Sequence, residues 1–148
     1  MQLNISTDYA IRSLLYLATC GRQASSSEIA YEMCIPDNYL YAVMGKLKKA
    51  GLAVATRGVK GGWTLTKDPS EIALLDIIEV MEGSVKMNRC LDDSRKCNRE
   101  ATSHCSVHAY YSELQDQLES FLGNVTLEQL RDRSWRPLSE LAVQNRAD

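Results

Sequence analysis

Three cysteines, Cys90, Cys97 and Cys105, and two histidines, His104 and His108, fall within one polar stretch, CLDDSRKCNREATSHCSVH. Thiolates are soft donors and imidazole is a borderline one, so such a set suits zinc, an iron–sulfur group or reversible thiol chemistry. The gaps are six and then seven residues. Neither the helical nor the strand period runs through them, so a loop must bring the sulfurs together. Zinc on Cys90, Cys97, Cys105 and His108 would be chemically satisfactory, although the stretch has no Cys-x-x-Cys knuckle. A thiol switch, with disulfide exchange among the three, needs no metal at all. Cys20 and Cys34 each close a helical pattern and read as small apolar packing residues.

The elements that must position this stretch belong to an ordinary folded chain. The 148 residues are 45% hydrophobic and 24% charged, which fits one globular domain, or a small one with an appendage. The first residues carry no basic leader or cleavage site, and Asp8 and Arg12 interrupt their apolar run. Neither a signal peptide nor a membrane span is expected, and the expected location is the cytoplasm. An odd cysteine count in that compartment points to metal or redox chemistry rather than to structural disulfides. Charge is uneven: residues 1–67 hold eight Lys or Arg against four Asp or Glu, and residues 68–148 hold nine against fifteen. The front half can face phosphate; the acidic rear half should not.

Hydrophobic spacing places the elements. Ile11, Leu14, Leu15 and Ala18 predict a helix from residue 7 to about 20, capped by Ser6 or Thr7 and closed by Gly21. Ser25 and Glu28 form a capping-box pair that opens a short second helix. Pro36 and Asp37 start a third, Gly51 stops it, and Leu40, Val43, Met44 and Leu47 are its buried stripe. Leu52, Val54 and Thr56, then Trp63 and Leu65, alternate as two strands around a turn at Gly58–Gly62. LLDIIEVMEG gives another short helix, ended by Gly83. Beyond the cysteines, Val107, Tyr111, Leu114, Leu118 and Phe121 follow a heptad rhythm, suited to packing along a partner helix or against the chain's own domain. Thr126 and Gln129 cap one more short helix.

Three short helices followed by a hairpin with a basic tip have the layout of a winged helix-turn-helix, so the expected fold is mainly α with a small β-hairpin wing and a long helix behind it. On the third helix the face opposite the apolar stripe offers Asn38, Tyr39, Tyr41 and Lys48, of types that read base edges or reach phosphate. The wing adds Arg57 and Lys60, and Gly61 and Gly62 would let its backbone approach a narrow groove. A solvated helix face and a polar turn are the bland alternative for any one of these residues. A protein-interaction module is a second class of reading, which the basic wing disfavours. An enzyme is disfavoured because the chain has no Cys-x-x-Cys, no Gly-rich phosphate loop before a helix and no evident Ser/His/Asp set.

ISTDYAIRSLLYLA, IPDNYLYAVMGKLKKAGL, RGVKGGWTL and LLDIIEVMEG, in that order over residues 1–83, resemble the Rrf family of bacterial winged-helix transcriptional regulators. The resemblance implies a homodimeric repressor or activator that binds a double-stranded DNA operator and pairs through the 107–122 helix. It implies a winged domain over 1–83, a cluster-binding loop over 84–106, and the dimerisation helix and a short helix over 107–133; the end of the sequence, 134–148, reads by itself as a flexible tail. In sensing members three cysteines at this place bind an iron–sulfur cluster, 2Fe-2S or 4Fe-4S, which here implies Cys90, Cys97 and Cys105 as thiolate ligands. For the fourth ligand, His108 looks like the Cys-x-x-His end of one family pattern. Asp8 is similar to an acidic residue that other members supply from the partner subunit. The cysteine gaps are somewhat longer than is usual in one such pattern, which leaves cluster type open, with redox, nitric oxide and iron or cluster supply as candidate signals.

Overall fold

The computed structural model describes residues 2–132; the tail expected at 134–148 lies outside the described residues. The order is helix α1 (Ile5–Cys20), α2 (Ser26–Glu32), α3 (Asp37–Lys49), strands β1 (Ala53–Thr56) and β2 (Gly62–Leu65), then α4 (Leu74–Glu82), a short α5 (Arg89–Asp92), the long α6 (Ser106–Asn124) and α7 (Leu127–Asp132). It is the mainly helical chain with one antiparallel hairpin that the spacing predicts.

Helix ends explain several of these boundaries. α1 begins at Ile5, and the cap comes from far along the chain rather than from Ser6 or Thr7. Glu82, the last residue of α4, accepts the Asn4 N–H at 2.8 Å and the Asn4 side-chain amide at 2.6 Å, and the Thr7 hydroxyl donates to it as well. A carboxylate at this end complements the helix dipole. The Thr7 hydroxyl, then the Asn4 backbone, holds the Glu82 carboxyl below its usual range. Gly21 closes α1 at φ +61, a left-handed position that glycine adopts without a Cβ clash. Ser25 caps α2 by accepting the Glu28 N–H, but the Glu28 carboxylate does not return to Ser25; Arg22 and the Tyr16 hydroxyl take it. That donation pushes the Tyr16 phenol up to about 12.

The core lies between α1, α3 and α4. Leu14, Ile29, Leu40, Met44, Leu47, Ile72 and Ile77 are fully enclosed. The hairpin covers one flank in the register Ala53↔Leu65 and Ala55↔Trp63. Its inner face differs from the one expected: Leu52 is buried but precedes the strand, with its N–H still bonded to Leu47 O on the exit from α3. The strand period therefore restarts at Ala53, which is buried, and Val54 and Thr56 turn outward.

The chain after α6 returns to this core. Leu74 N–H bonds Val125 O and Leu127 N–H bonds Ile72 O, a short antiparallel bridge that stitches the end of α6 to the start of α4. Leu127 is fully buried, and α7 packs on α1. The capping pair of Thr126 and Gln129 is formed in both directions. α6 has two faces. Tyr111, Leu118 and Leu122 are half-buried and Gln115 is enclosed, on the side that carries α4. Val107 (55% exposed), Tyr110 (74%), Leu114 (48%) and Phe121 (65%) form the other. The heptad read from the sequence thus mixed two stripes, because at about 100° per residue Tyr111 and Leu118 rotate inward.

Candidate functional site

α3 presents the first candidate surface. Its apolar stripe fixes it on the core, so Asn38, Tyr39, Tyr41 and Lys48 are left exposed together, as expected. Tyr39 is also held from behind: its ring meets Tyr9 of α1 edge-on, with centroids 5.7 Å apart. The wing is fixed just as firmly. Ala24 and Trp63 exchange backbone hydrogen bonds at 3.1 and 2.8 Å, the Trp63 indole N–H donates to Ser26 Oγ at 2.9 Å, and the Gln23 side-chain amide donates to Lys60 O.

The wing glycines have a reason that the sequence reading did not give. A Cβ on Gly61 would come within 2.5 Å of Thr56 O, and one on Gly62 within 2.6 Å of Ala24 O. Both positions are closed by the chain's own backbone. Gly58 is different: it faces open space at φ +114, a conformation that a side chain would strain.

Electrostatics marks this surface, although Arg89 and Arg99 of the cysteine segment are likewise exposed and outside the ion pairs. Among the described residues Arg12, Arg22, Lys86, Arg95, Lys96 and Arg131 form ion pairs. Lys46, Lys48 and Lys49 on α3, Arg57 and Lys60 in the hairpin turn, and Lys67 just past β2 are exposed and have no described carboxylate oxygen within 4.0 Å. Cations left unneutralised on a reading helix and its wing make a field that attracts phosphate. Lys46, Lys49 and Lys67 were not among the expected site residues; the run KLKK carried the signal for the first two.

The second candidate is the cysteine segment. Cys90 lies on α5, Cys97 follows a 3-10 turn over Ser94–Lys96, and Cys105 is the residue before α6. All five cysteines are free thiols, and these three are half-buried. His108 Nδ1 is 3.5 Å from Cys90 Sγ, so the histidine meets the first cysteine and not the one three residues before it. Cys97 has a different neighbourhood. Backbone N–H groups of Ala101, Arg99 and Glu100, the last at φ +51, favour its thiolate and lower its pKa. Asp8 is ion-paired with Arg12, and His104 is exposed beside Ser103.

Among the described residues no three His, Cys, Asp or Glu side chains converge closely enough to hold a metal ion. The donor types, together with amide groups aimed at one thiolate, suit an iron–sulfur group; the positions gather only Cys90 and His108. Cys34 departs from its expected packing role: it is exposed, at φ +51, in the turn before α3. Cys20 is half-buried against the core, as expected.

A helix-turn-helix with a pinned hairpin wing and a cation-rich exposed face defines a winged-helix transcriptional regulator that binds DNA. The family model for Rrf2, described as an iron-dependent transcriptional regulator, matches residues 3–133, and the chain belongs to that family. An HTH-type transcriptional regulator of Aquifex aeolicus is 36% identical over 123 residues, 82% of this chain and 85% of that one. IscR of Escherichia coli is 32% identical over 132 residues, 88% of this chain and 80% of the relative. Among solved structures, CymR of B. subtilis, the global cysteine regulator, superposes with a TM-score of 0.75 at 25% identity, covering 91% of this chain and 99% of CymR. These relatives are regulators and not enzymes, in line with the sequence reading. No described helix is long and apolar enough to cross a membrane.

Proposed function

We propose that this regulator is a homodimer whose grip on a double-stranded operator is set by an iron–sulfur cluster carried between its reading head and α6. The observation that carries the DNA half is the row of exposed, unpaired cations on α3 and the hairpin. Asn38 reads base edges, Tyr39, Tyr41 and Lys48 reach base or phosphate, and Arg57 and Lys60 hold the wing to the backbone of an adjacent groove. Gly61 and Gly62 keep the wing thin where it is closed on itself. Replacing Arg57 with Ala should weaken binding to all sequences alike and lower the salt slope by about one, whereas Asn38→Ala should change preference at particular bases. A gel shift unaffected by both would reject the surface.

The dimer half rests on the unpartnered α6 stripe of Val107, Tyr110, Leu114 and Phe121. A charge at Phe121 (Phe121→Glu) should yield monomers in analytical ultracentrifugation; an intact dimer would move the interface elsewhere.

For the cluster, Cys90, Cys97 and Cys105 are the thiolates, with Asp8 of a partner subunit or His108 as the fourth ligand. Bound, the cluster would supply iron and sulfide that respond to redox state, nitric oxide or iron supply. The amides around Cys97 lower the cost of holding a thiolate there. The Cys90–His108 contact also favours a second reading, a cluster-free zinc- or thiol-dependent regulator. Anaerobic purification with iron and sulfide assays separates the two. Iron and sulfide present in the native chain and lost in Cys97→Ala support the cluster, and their absence from the native chain overturns it. Persistence of the chromophore in both Asp8→Ala and His108→Ala would exclude both fourth ligands.

A further inference from the structure

The first turns of α1 touch both helices of the reading motif at one place. Tyr9 meets Tyr39 of α3 edge-on at 5.7 Å. Arg12 lies 5.4 Å from the Tyr9 ring centroid, donates to Met33 O at 3.1 Å, and is ion-paired with Asp8. Met33 closes α2, so its carbonyl is one of the orphan acceptors at that helix end, and a guanidinium there also complements the dipole. Arg12 therefore joins α1 to the turn between α2 and α3, and Tyr9 joins it to an exposed residue of α3.

Stability explains only part of this arrangement: Tyr9 is half-buried against the core, whereas its contacts to Arg12 and Tyr39 lie towards solvent. The Asp8–Arg12 pair is more than a third exposed on both sides, and such pairs contribute little in water. Tyr39 is exposed and Tyr9 half-buried, and neither phenol forms a hydrogen bond among the described residues. What the cluster does fix is direction. An edge-on neighbour removes alternative rotamers from Tyr39, and the Arg12–Met33 bond holds the turn from which α3 sets out.

We propose that Tyr9 and Arg12 are positioning residues for DNA binding: they touch no DNA themselves and act by holding Tyr39 and the α2–α3 turn in the binding geometry. The proposal rests on α3 being the DNA-facing helix. It makes Tyr9 act through Tyr39, so the two substitutions must be non-additive.

The test is operator affinity of the full chain, measured alongside thermal midpoint for Tyr9→Leu, Tyr9→Phe, Tyr39→Ala and the double variant Tyr9→Leu/Tyr39→Ala. Tyr9→Leu should weaken binding about three- to tenfold, the range an aromatic pair is worth. Tyr9→Phe, which keeps the ring, should restore it. In the Tyr39→Ala background Tyr9→Leu should cost nothing further. Additive losses, or no loss, overturn the proposal. Should Tyr9→Leu fail to fold, Tyr9→Met, another helix former without the ring, carries the same test against Tyr39→Ala, with the same two outcomes. Arg57→Ala serves as the control: its loss without loss in Tyr9→Leu defeats the positioning role alone, and loss in neither defeats the DNA-facing assignment too.

Discussion

Between Ile5 and Met81 every helix and the hairpin place side chains in one core, whereas between Gly83 and Cys105 not one residue is buried. The head is held by apolar burial, which needs no ligand. The cysteine segment is held by short-range backbone bonds, such as Asp93 N–H to Arg89 O and Glu100 N–H to Cys97 O, and by exposed ion pairs. Ordering a stretch of that length costs about 1–2 kcal/mol per residue in backbone entropy, and local bonds of this kind return little of it. A segment with no core of its own is where a bound group can change the balance. The segment is clasped to α6 by Gln115, 2% exposed, which accepts Met87 N–H at 2.8 Å and donates to Val85 O at 3.2 Å.

If burial is what separates the regions, Leu40→Ala in the head should cost about 2–5 kcal/mol in denaturant unfolding, and Leu91→Ala in the segment far less. Comparable losses would erase the distinction. Gln115→Ala comes next. Removing the clasp leaves the Met87 amide and Val85 carbonyl without their partner, at about 1–3 kcal/mol. Its sharper sign should be faster proteolysis within residues 84–105 while the head stays intact. Glu82→Gln should have a smaller effect, and one that depends on pH. The folded Glu82 carboxyl titrates below its ordinary value of 4.5, so its contribution is fully present above that value and fades as pH falls through the lowered one. The variant should therefore melt earlier at neutral pH and converge with the native chain in acid; a pH-independent gap would show that charge is not what Glu82 supplies. Last, Arg95→Ala, in an ion pair with a 90% exposed arginine, should stay within about 0.5 kcal/mol of the native chain. A larger loss would mean that the segment is more tightly built than its exposure implies.

Most of the head was legible in advance because helical and strand periods report burial directly. The stripe Leu40, Val43, Met44 and Leu47 is buried as read, and Gly21 ends α1 as read. Two misreadings share a cause. Leu52 and Val54 do not share a buried face, and Tyr111 does not share the exposed stripe of α6, because a period gives relative orientation along an element; where the phase starts depends on how the element is entered. Leu52 still belongs to the exit from α3, and α6 has apolar residues on two sides. Pairs distant in the chain left no trace in any local pattern. Glu82 capping Asn4, Gln115 holding Met87, and His108 meeting Cys90 rather than the Cys105 side chain are of this kind.

Residue types and their spacing, on their own, determined that the chain forms a winged helix-turn-helix, which face of α3 is left exposed, and that three sulfur donors follow it. Each of these is a local property, set by propensity, periodicity and the chemistry of the side chain. Only the tertiary structure decided that the wing glycines are closed by the chain's own backbone, that α7 returns to seal the core on α1, and that the α3 and wing cations stand without carboxylate partners among the described residues. Those facts depend on which distant groups share a few ångströms of space, and only the packed core fixes that.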